Sequence, residues 1–240
     1  MTTVETISYK TSIEGLTFEQ PVLIKDAPSP IRHIEMTVRE PEVSMIFYLD
    51  PDAELAQVRV HAQKLAERLL DTLALLYKVS VGSARYAGYK GCADDGSQVV
   101  VLHDKLGVSD KVTCSVTIAC PMADPFQQAL RQPSDVNQSM FRLALNQPDR
   151  VTRFMLLYWI LLQLNNDKQQ QVETQIKRFE PTVPRTPSPK NNEPETIYTR
   201  LRNELAHSRD GVAPQKTWCE IQTQVGGLAE IVKKVLVELH

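Results

Sequence analysis

The sequence lacks a strong imbalance of charge. Its 27 lysine and arginine residues are offset by 29 aspartate and glutamate residues, and the formal net charge is −2. Proteins that attract nucleic acid or anionic membranes through their whole surface carry a large excess of positive charge. The composition argues against that class, so any bound polyanion would have to be held at a local site.

Cysteine motifs are also missing. The four cysteines, Cys92, Cys114, Cys120 and Cys219, form no CxxC pair and have no histidine nearby at metal-ligand spacing. This pattern indicates neither a zinc site nor a disulfide framework, and it is typical of free thiols in a reducing cytosol. The loop glycines form no phosphate-cradling motif of recognised spacing. We therefore expect no metal ion and no cofactor.

Long apolar runs are missing as well. The longest, residues 154–162, is about half of the roughly 20 residues that a helix needs to cross a bilayer. Residues 1–5 contain no basic region followed by an apolar stretch, so no signal peptide is apparent. The sequence predicts a soluble, cytoplasmic protein without a membrane partner.

The first half of the chain combines strand patterns with one long helix pattern. Five stretches of aliphatic and β-branched residues predict strands: 22–24, 34–38, 45–49, 98–102 and 111–118. Apolar residues at three- and four-residue spacing predict a helix that begins after an Asp50-Pro51 cap and ends near Val79. A polar, glycine-bearing stretch follows at 82–96. We predict an α+β module of unknown role over residues 1–122.

The second half, residues 123–240, has helical spacing almost throughout. Five helices are predicted, at about 135–145, 151–164, 168–179, 195–202 and 216–239. The second of these is apolar on most faces, which predicts a central place in a bundle. Residues 180–194 contain five of the 15 prolines and predict an exposed loop. Gly226-Gly227 indicates close helix approach or a kink in the last helix.

The stretch from Arg202 to His207 concentrates groups suited to phosphodiester chemistry. Arg202 can bind a phosphate bidentately, and His207 can exchange a proton near neutral pH. Asn203 and His207 are four residues apart on one helix face, so the amide can orient the imidazole. Arg202 lies about 140° from His207 around an ideal helix. The two would act together only at an unwound helix end or across a two-fold dimer.

These residues carry a family resemblance. Arg202-Asn203-x-x-x-His207 resembles the Arg-polar-x-x-x-His signature of HEPN domains, the four-to-five-helix bundles named for higher eukaryotes and prokaryotes nucleotide-binding. Residues 201–208 look most like the branch that includes the ApeA-like abortive-infection proteins. The apolar run at 153–162 is similar to an early helix of the family, although the branch often has a glutamate where this chain has Gln163. The resemblance covers about residues 134–240.

The resemblance implies a metal-independent endoribonuclease that cleaves RNA by attack of the ribose 2′-hydroxyl, often as an antiviral defence effector or toxin, and as a homodimer. Arg202 and His207 would be catalytic and Asn203 would support them. The N-terminal module would sense a ligand or bind a regulatory partner. Because the family includes members that only bind nucleotides or RNA, a non-catalytic binding or dimerisation module is the alternative. The basic residues could also simply bind the terminal carbonyls of their helix.

Overall fold

The chain is mixed α+β, with its strands concentrated in the first half and its helices in the second. The computed structural model describes residues 5–51, 53–92, 98–102, 116–189, 192–206 and 213–239. Two compact units divide the chain, Met1–Asp135 and Val136–His240. Within the described residues, no helix combines the length and the apolar character that crossing a membrane requires.

The N-terminal unit is built on an eight-stranded sheet. Its elements are β1 (Thr6–Ser12), β2 (Leu16–Phe18), β3 (Val22–Ile24), β4 (Ile31–Arg39), β5 (Glu42–Leu49), α1 (Leu55–Tyr77), β6 (Arg85–Cys92), β7 (Gln98–Leu102), β8 (Val116–Ile118) and α2 (Asp124–Arg131). The strand order is β7-β6-β1-β5-β4-β2-β8, and β3 also pairs with β4. All pairs are antiparallel except β2 with β8.

Alternate side chains of the long strands form the core of this unit. On β1 and β5, buried residues such as Ile7, Tyr9 and Phe47 alternate with half-buried ones, which is the period expected when one face of a sheet is covered. The Tyr9 hydroxyl donates to the Arg59 carbonyl of α1 at 2.7 Å. Helix α1 therefore lies against the buried face of the sheet.

The strand predictions are largely confirmed. Residues 22–24 form β3, residues 34–38 and 45–49 lie within β4 and β5, and residues 98–102 form β7. Of the stretch 111–118, residues 116–118 form β8 and the rest lies outside the described residues.

Residues 82–96 were predicted to be a polar stretch outside the strands. This prediction is wrong in part, because β6 occupies residues 85–92 and pairs with both β1 and β7. Its small residues carry little strand signal, and backbone pairing with two distant segments makes it a strand.

Helix α1 begins later than predicted. Asp50-Pro51 forms a turn instead of a cap, with the Ala53 amide donating to the Asp50 carbonyl at 3.2 Å, and the helix starts at Leu55. It ends at Tyr77, close to the predicted Val79. Lys78 closes it in the left-handed conformation, at φ 55°, and donates its amide to the Ala74 carbonyl.

The division between the units falls after α2, later than the boundary predicted between residues 122 and 123. Phe126 and Leu130 of α2 are buried, and the helix packs on α1 and β3. Arg131 forms an ion pair with Asp26 at 2.8 Å. Helix α2 is therefore part of the sheet-containing unit and not of the helical one.

The C-terminal unit contains five described helices and a short β-ribbon. Its elements are α3 (Val136–Leu145), α4 (Arg150–Leu164), α5 (Gln169–Phe179), β9 (Arg185–Pro187), β10 (Pro194–Thr196), α6 (Ile197–Ala206) and α7 (Pro214–Glu238). Helix α4 packs against each of the other four helices, which confirms its predicted central place. Asp149 caps α4 by accepting from the Thr152 amide at 2.7 Å.

The proline-rich segment contains a strand that was not predicted. Strand β9 lies within it and pairs antiparallel with β10, which begins at its last residue, and Thr186 lies opposite Glu195. A two-stranded ribbon tolerates proline at its ends, because each strand has only one paired edge. Helix α6 starts at Ile197 and not at Glu195, because Thr196 ends the strand and its Oγ1 accepts from the Thr199 amide at 3.4 Å.

The two glycines of α7 differ in their surroundings. The helix continues through both without interruption. A Cβ atom on Gly227 would lie 2.5 Å from the Tyr198 hydroxyl of α6, whereas a Cβ on Gly226 would meet nothing within 4 Å. The prediction of close helix approach is confirmed at Gly227 only.

Candidate functional site

The predicted motif lies at the C-terminal end of α6. Arg202 and Asn203 are in the last turns of the helix, and both are half-buried. His207 lies outside the described residues. Its predicted role, and its distance from Arg202, therefore stay predictions.

Arg202 is held in place by polar and aromatic neighbours. Its Nη1 donates to Asn203 Oδ1 at 3.0 Å, and its guanidinium carbon lies 6.0 Å from the centroid of the Tyr158 ring. The ring contact is at the outer limit of a cation–π interaction. Among the residues that the structure describes, no carboxylate oxygen lies within the 4.0 Å ion-pair distance of Arg202. Within the described residues, its positive charge is thus oriented by an amide and a ring and not by an ion pair.

Asn203 connects Arg202 to a carboxylate. Its Oδ1 accepts from Arg202 and its Nδ2 donates to Glu195 Oε2 at 3.1 Å. Only one orientation of the amide satisfies both bonds, because a guanidinium can only donate and a carboxylate can only accept. Asn203 was predicted to support Arg202 and His207; its amide binds Arg202 and also Glu195, and its predicted contact with His207 lies outside the described residues.

Glu195 is the acidic residue of the site that the sequence analysis missed. It lies on β10 with 4% of its surface exposed. Its position between a proline-rich stretch and a helix start carries no sequence signal for burial. Gln163, where the resembling family often has a glutamate, is exposed on α4 and donates weakly to Asp167 at 3.5 Å.

A chain of buried hydroxyl groups lies beneath the motif. Glu173 Oε1 of α5 accepts from the Thr196 amide at 2.8 Å and from the Thr196 hydroxyl at 3.0 Å. The Thr196 hydroxyl also lies 3.3 Å from the Thr199 hydroxyl, which in turn lies 2.9 Å from that of Tyr158. All four residues are buried. Buried polar groups that bond one another in this way give a defined geometry to the segment they join.

The charges of the site act on Tyr158. Burial raises its pKa to about 12, and the Thr199 hydrogen bond opposes this. The carboxylates of Glu173 and Glu195 raise the pKa further, while the guanidinium of Arg202 lowers it. The phenol of Tyr158 is therefore neutral at physiological pH, and its hydroxyl forms a hydrogen bond with that of Thr199.

A second charged cluster fixes α6 to α7, and we call it the α6–α7 seam: Arg200, Glu204, Thr217 and Glu220. Arg200 donates to Glu204 at 2.8 Å and forms a short ion pair with Glu220. The Thr217 hydroxyl donates to the other oxygen of Glu204 at 2.7 Å. The seam holds the end of α6 that carries the motif.

Comparison with known proteins adds no assignment. No family model, no curated protein and no solved structure matches the chain. Within the described part of the chain, no group of three or more His, Cys, Asp or Glu side chains is placed to hold a metal ion. The chemistry of the site must be argued from its own residues.

Proposed function

We propose that the C-terminal unit is a HEPN-like helical bundle that binds the phosphodiester backbone of RNA at Arg202 and cleaves it with the help of His207. The observation that carries the proposal is the state of Arg202: Asn203 orients its guanidinium, and no described carboxylate neutralises it. An arginine in this state has donors available for a phosphate, and the entropy of positioning it has already been lost. The five described helices of this unit and the central position of the apolar helix α4 also support the proposal.

The reaction would need no group beyond the chain and its substrate. The ribose 2′-hydroxyl loses its proton to His207 and attacks the adjacent phosphorus, and the bond to the 5′-oxygen breaks as His207 returns that proton to the leaving oxygen. The products are a 2′,3′-cyclic phosphate and a 5′-hydroxyl. Arg202 would stabilise the negative charge that develops on the phosphorane oxygens.

The net charge of −2 fits local recognition better than a wide RNA-binding surface. The N-terminal unit would then select the target or bind a regulatory partner or ligand.

Cleavage of RNA in the presence of a chelator tests this proposal. The wild-type protein, Arg202→Ala and His207→Ala are each incubated with a mixed RNA pool and with the same sequences carrying 2′-deoxy residues. We expect the wild type to leave cyclic phosphate ends and each variant to cleave at least about 100-fold more slowly. Arg178→Ala is the matched control, because Arg178 pairs with Glu238 on the exposed surface. Equal cleavage by all four proteins, or cleavage of the 2′-deoxy substrate, would contradict the proposal.

The alternative is a dimerisation or binding module without catalysis. One observation favours it: Met155, Trp159 and Leu162 follow one another at helical spacing on α4, and Trp159 is 40% exposed. Met155 and Leu162 are half-buried, and a partly exposed apolar stripe of this kind can be covered by another molecule. Sedimentation of the wild type and of Trp159→Glu would show whether this stripe mediates a homodimer. A dimer without ribonuclease activity would favour this alternative.

A further inference from the structure

We infer that Glu195 is a positioning residue of the Arg202 site and that it acts through the side-chain amide of Asn203. The effect of Glu195 on catalysis rests on the proposed function. Its effect on the position of the Arg202 side chain rests on the structure alone. Within the described residues, Glu195 forms no ion pair with the guanidinium, and its link to Arg202 runs through Asn203.

The geometry is a relay of two hydrogen bonds. Glu195 Oε2 accepts from Asn203 Nδ2 at 3.1 Å, and Asn203 Oδ1 accepts from Arg202 Nη1 at 3.0 Å. The two bonds use opposite ends of one rigid planar amide. Rotation of the amide about its last bond is therefore restrained at both ends, and the carboxylate selects the orientation that presents oxygen to Arg202.

Glu195 is itself firmly placed. Strand β10 holds its backbone by pairing with β9, where Thr186 lies opposite. The next residue, Thr196, is anchored to Glu173 by both its amide and its hydroxyl. Because the residue is 96% buried, its carboxylate has little freedom to leave the site. Residues of three elements, α5, β10 and α6, thus together set the orientation of the Arg202 guanidinium.

The amide between the two charges has a chemical consequence. A carboxylate in direct contact with an arginine occupies its donors and opposes its positive charge, as Glu204 and Glu220 do for Arg200. Asn203 transmits the restraint while keeping the carboxylate out of ion-pair distance. Arg202 is therefore oriented like a paired arginine but keeps the charge and the donors that a phosphate needs.

The mobility of the Arg202 side chain tests the relay without reference to activity. We would measure the ¹⁵N order parameter of its Nε–H group, assigned by the signal lost in Arg202→Lys. Wild type and Glu195→Gln should both be rigid, since a glutamine oxygen can still accept from Asn203 Nδ2. Glu195→Ala and Asn203→Ala should both fall below about 0.6. Glu193→Ala, a change at an exposed glutamate next to β10, is the matched control and should match the wild type.

Kinetics then tests the consequence. We expect Glu195→Ala to lower kcat for RNA cleavage by about 10-fold to 100-fold, since a small displacement of a catalytic group has an effect of this order. Glu195→Gln should recover most of that loss. The double variant with Asn203→Ala should be no slower than Asn203→Ala alone, because both residues act through one path.

The two proposals fail in different ways. An unchanged Arg202 order parameter in Glu195→Ala, or additive losses in the double variant, would overturn the positioning role even in an active ribonuclease. If the wild type cleaves no RNA but Arg202 becomes mobile in Glu195→Ala and Asn203→Ala, the positioning role stands and the proposed reaction is wrong. Should Glu195→Ala not fold, Glu195→Leu, which keeps the length of the side chain but offers no acceptor to Asn203 Nδ2, decides the matter by the same measurement.

Discussion

Arg200 and Arg202 are two residues apart on α6, and they have opposite surroundings. About 160° separates them around the helix. The side chain of Arg200 is 18% exposed and contacts two glutamates, one of which is 4% exposed. Arg202 contacts an amide and an aromatic ring. The difference shows that, within the described residues, arginines on opposite faces of one helix can have opposite electrostatic surroundings: carboxylates neutralise Arg200, and an amide and a ring orient Arg202.

The two faces of α6 also depend on each other. The α6–α7 seam holds the last turns of α6, and the motif follows on those same turns. A preorganised cation requires a backbone that does not move, so the seam contributes to the site without lying in it. Changes in the seam should therefore affect stability first, and changes at Arg202 should affect chemistry first.

The largest effect on stability is expected from Arg200→Ala. This change leaves Glu204 buried without its cation, and breaking a buried ion pair from one side costs about 3 kcal/mol or more. Denaturant unfolding followed by tryptophan fluorescence will measure the C-terminal unit selectively, because both tryptophans, Trp159 and Trp218, lie in it. The control Arg178→Ala removes an exposed pair and should cost less than about 1 kcal/mol. A cost below 1 kcal/mol for Arg200→Ala would remove the contrast between the two arginines.

A smaller effect is expected at alkaline pH from the tyrosine beneath Arg202. The pKa of Tyr158 is raised from 10.0 to about 12 in the folded state, so its contribution is fully present below pH 10 and is lost as the pH rises towards 12. The unfolding free energy of the C-terminal unit should fall by about 2 kcal/mol or less over this range.

Tyr158→Phe should reduce that dependence in the same fluorescence assay. Part of it should remain, because burial and the bond to Glu180 also raise the pKa of Tyr198. An identical pH profile for wild type and Tyr158→Phe would show that Tyr158 is not held neutral by the site.

The glycine pair of α7 allows a finer test of how closely α6 approaches α7. Gly227→Ala places a methyl group against the buried hydroxyl of Tyr198, which Glu180 holds at 2.8 Å, and should cost about 1–2 kcal/mol. Gly226→Ala meets no neighbour and should stabilise the helix by up to about 1 kcal/mol. Thermal unfolding of both variants decides the matter, and equal shifts in Tm would contradict the asymmetry.

The smallest effect on stability is expected from Arg202→Ala. The change removes one hydrogen bond from a half-buried amide and leaves no buried carboxylate without its cation within the described residues, so the cost should be less than about 1 kcal/mol. The same variant should lose most of the RNA cleavage. A cost similar to that of Arg200→Ala would mean that Arg202 is a structural residue, as its position near a helix end also allows.

Helix boundaries were predictable where they depend on neighbouring residues. Helices α4 and α5 begin within one residue of the predicted starts at 151 and 168, and α3 ends at Leu145 as predicted. Local capping groups and apolar spacing are sufficient for this. The prediction of a helix cap at Asp50-Pro51 is wrong, because these residues form a turn instead. The neighbouring sequence is compatible with both a cap and a turn.

Strands that depend on distant partners were missed. Strand β6 has few apolar residues, and it exists because β1 and β7 supply its hydrogen bonds. Strands β9 and β10 were hidden by prolines, since a pairing of residues seven to eleven positions apart leaves no periodic pattern. Glu195 was missed with them, because the burial of a carboxylate is decided by the chain that folds over it.

The sequence by itself determined the α+β class, the central apolar helix and the cation-amide motif at Arg202 and Asn203, because periodicity and residue chemistry are local properties. Only the tertiary structure decided that carboxylates would neutralise Arg200, that no described carboxylate would pair with Arg202, and that Asn203 would bind a buried Glu195. Those outcomes depend on which side chains α5, α7 and β10 bring to each face of α6. The electrostatic state of a side chain is set by neighbours in space, and the sequence alone does not specify them.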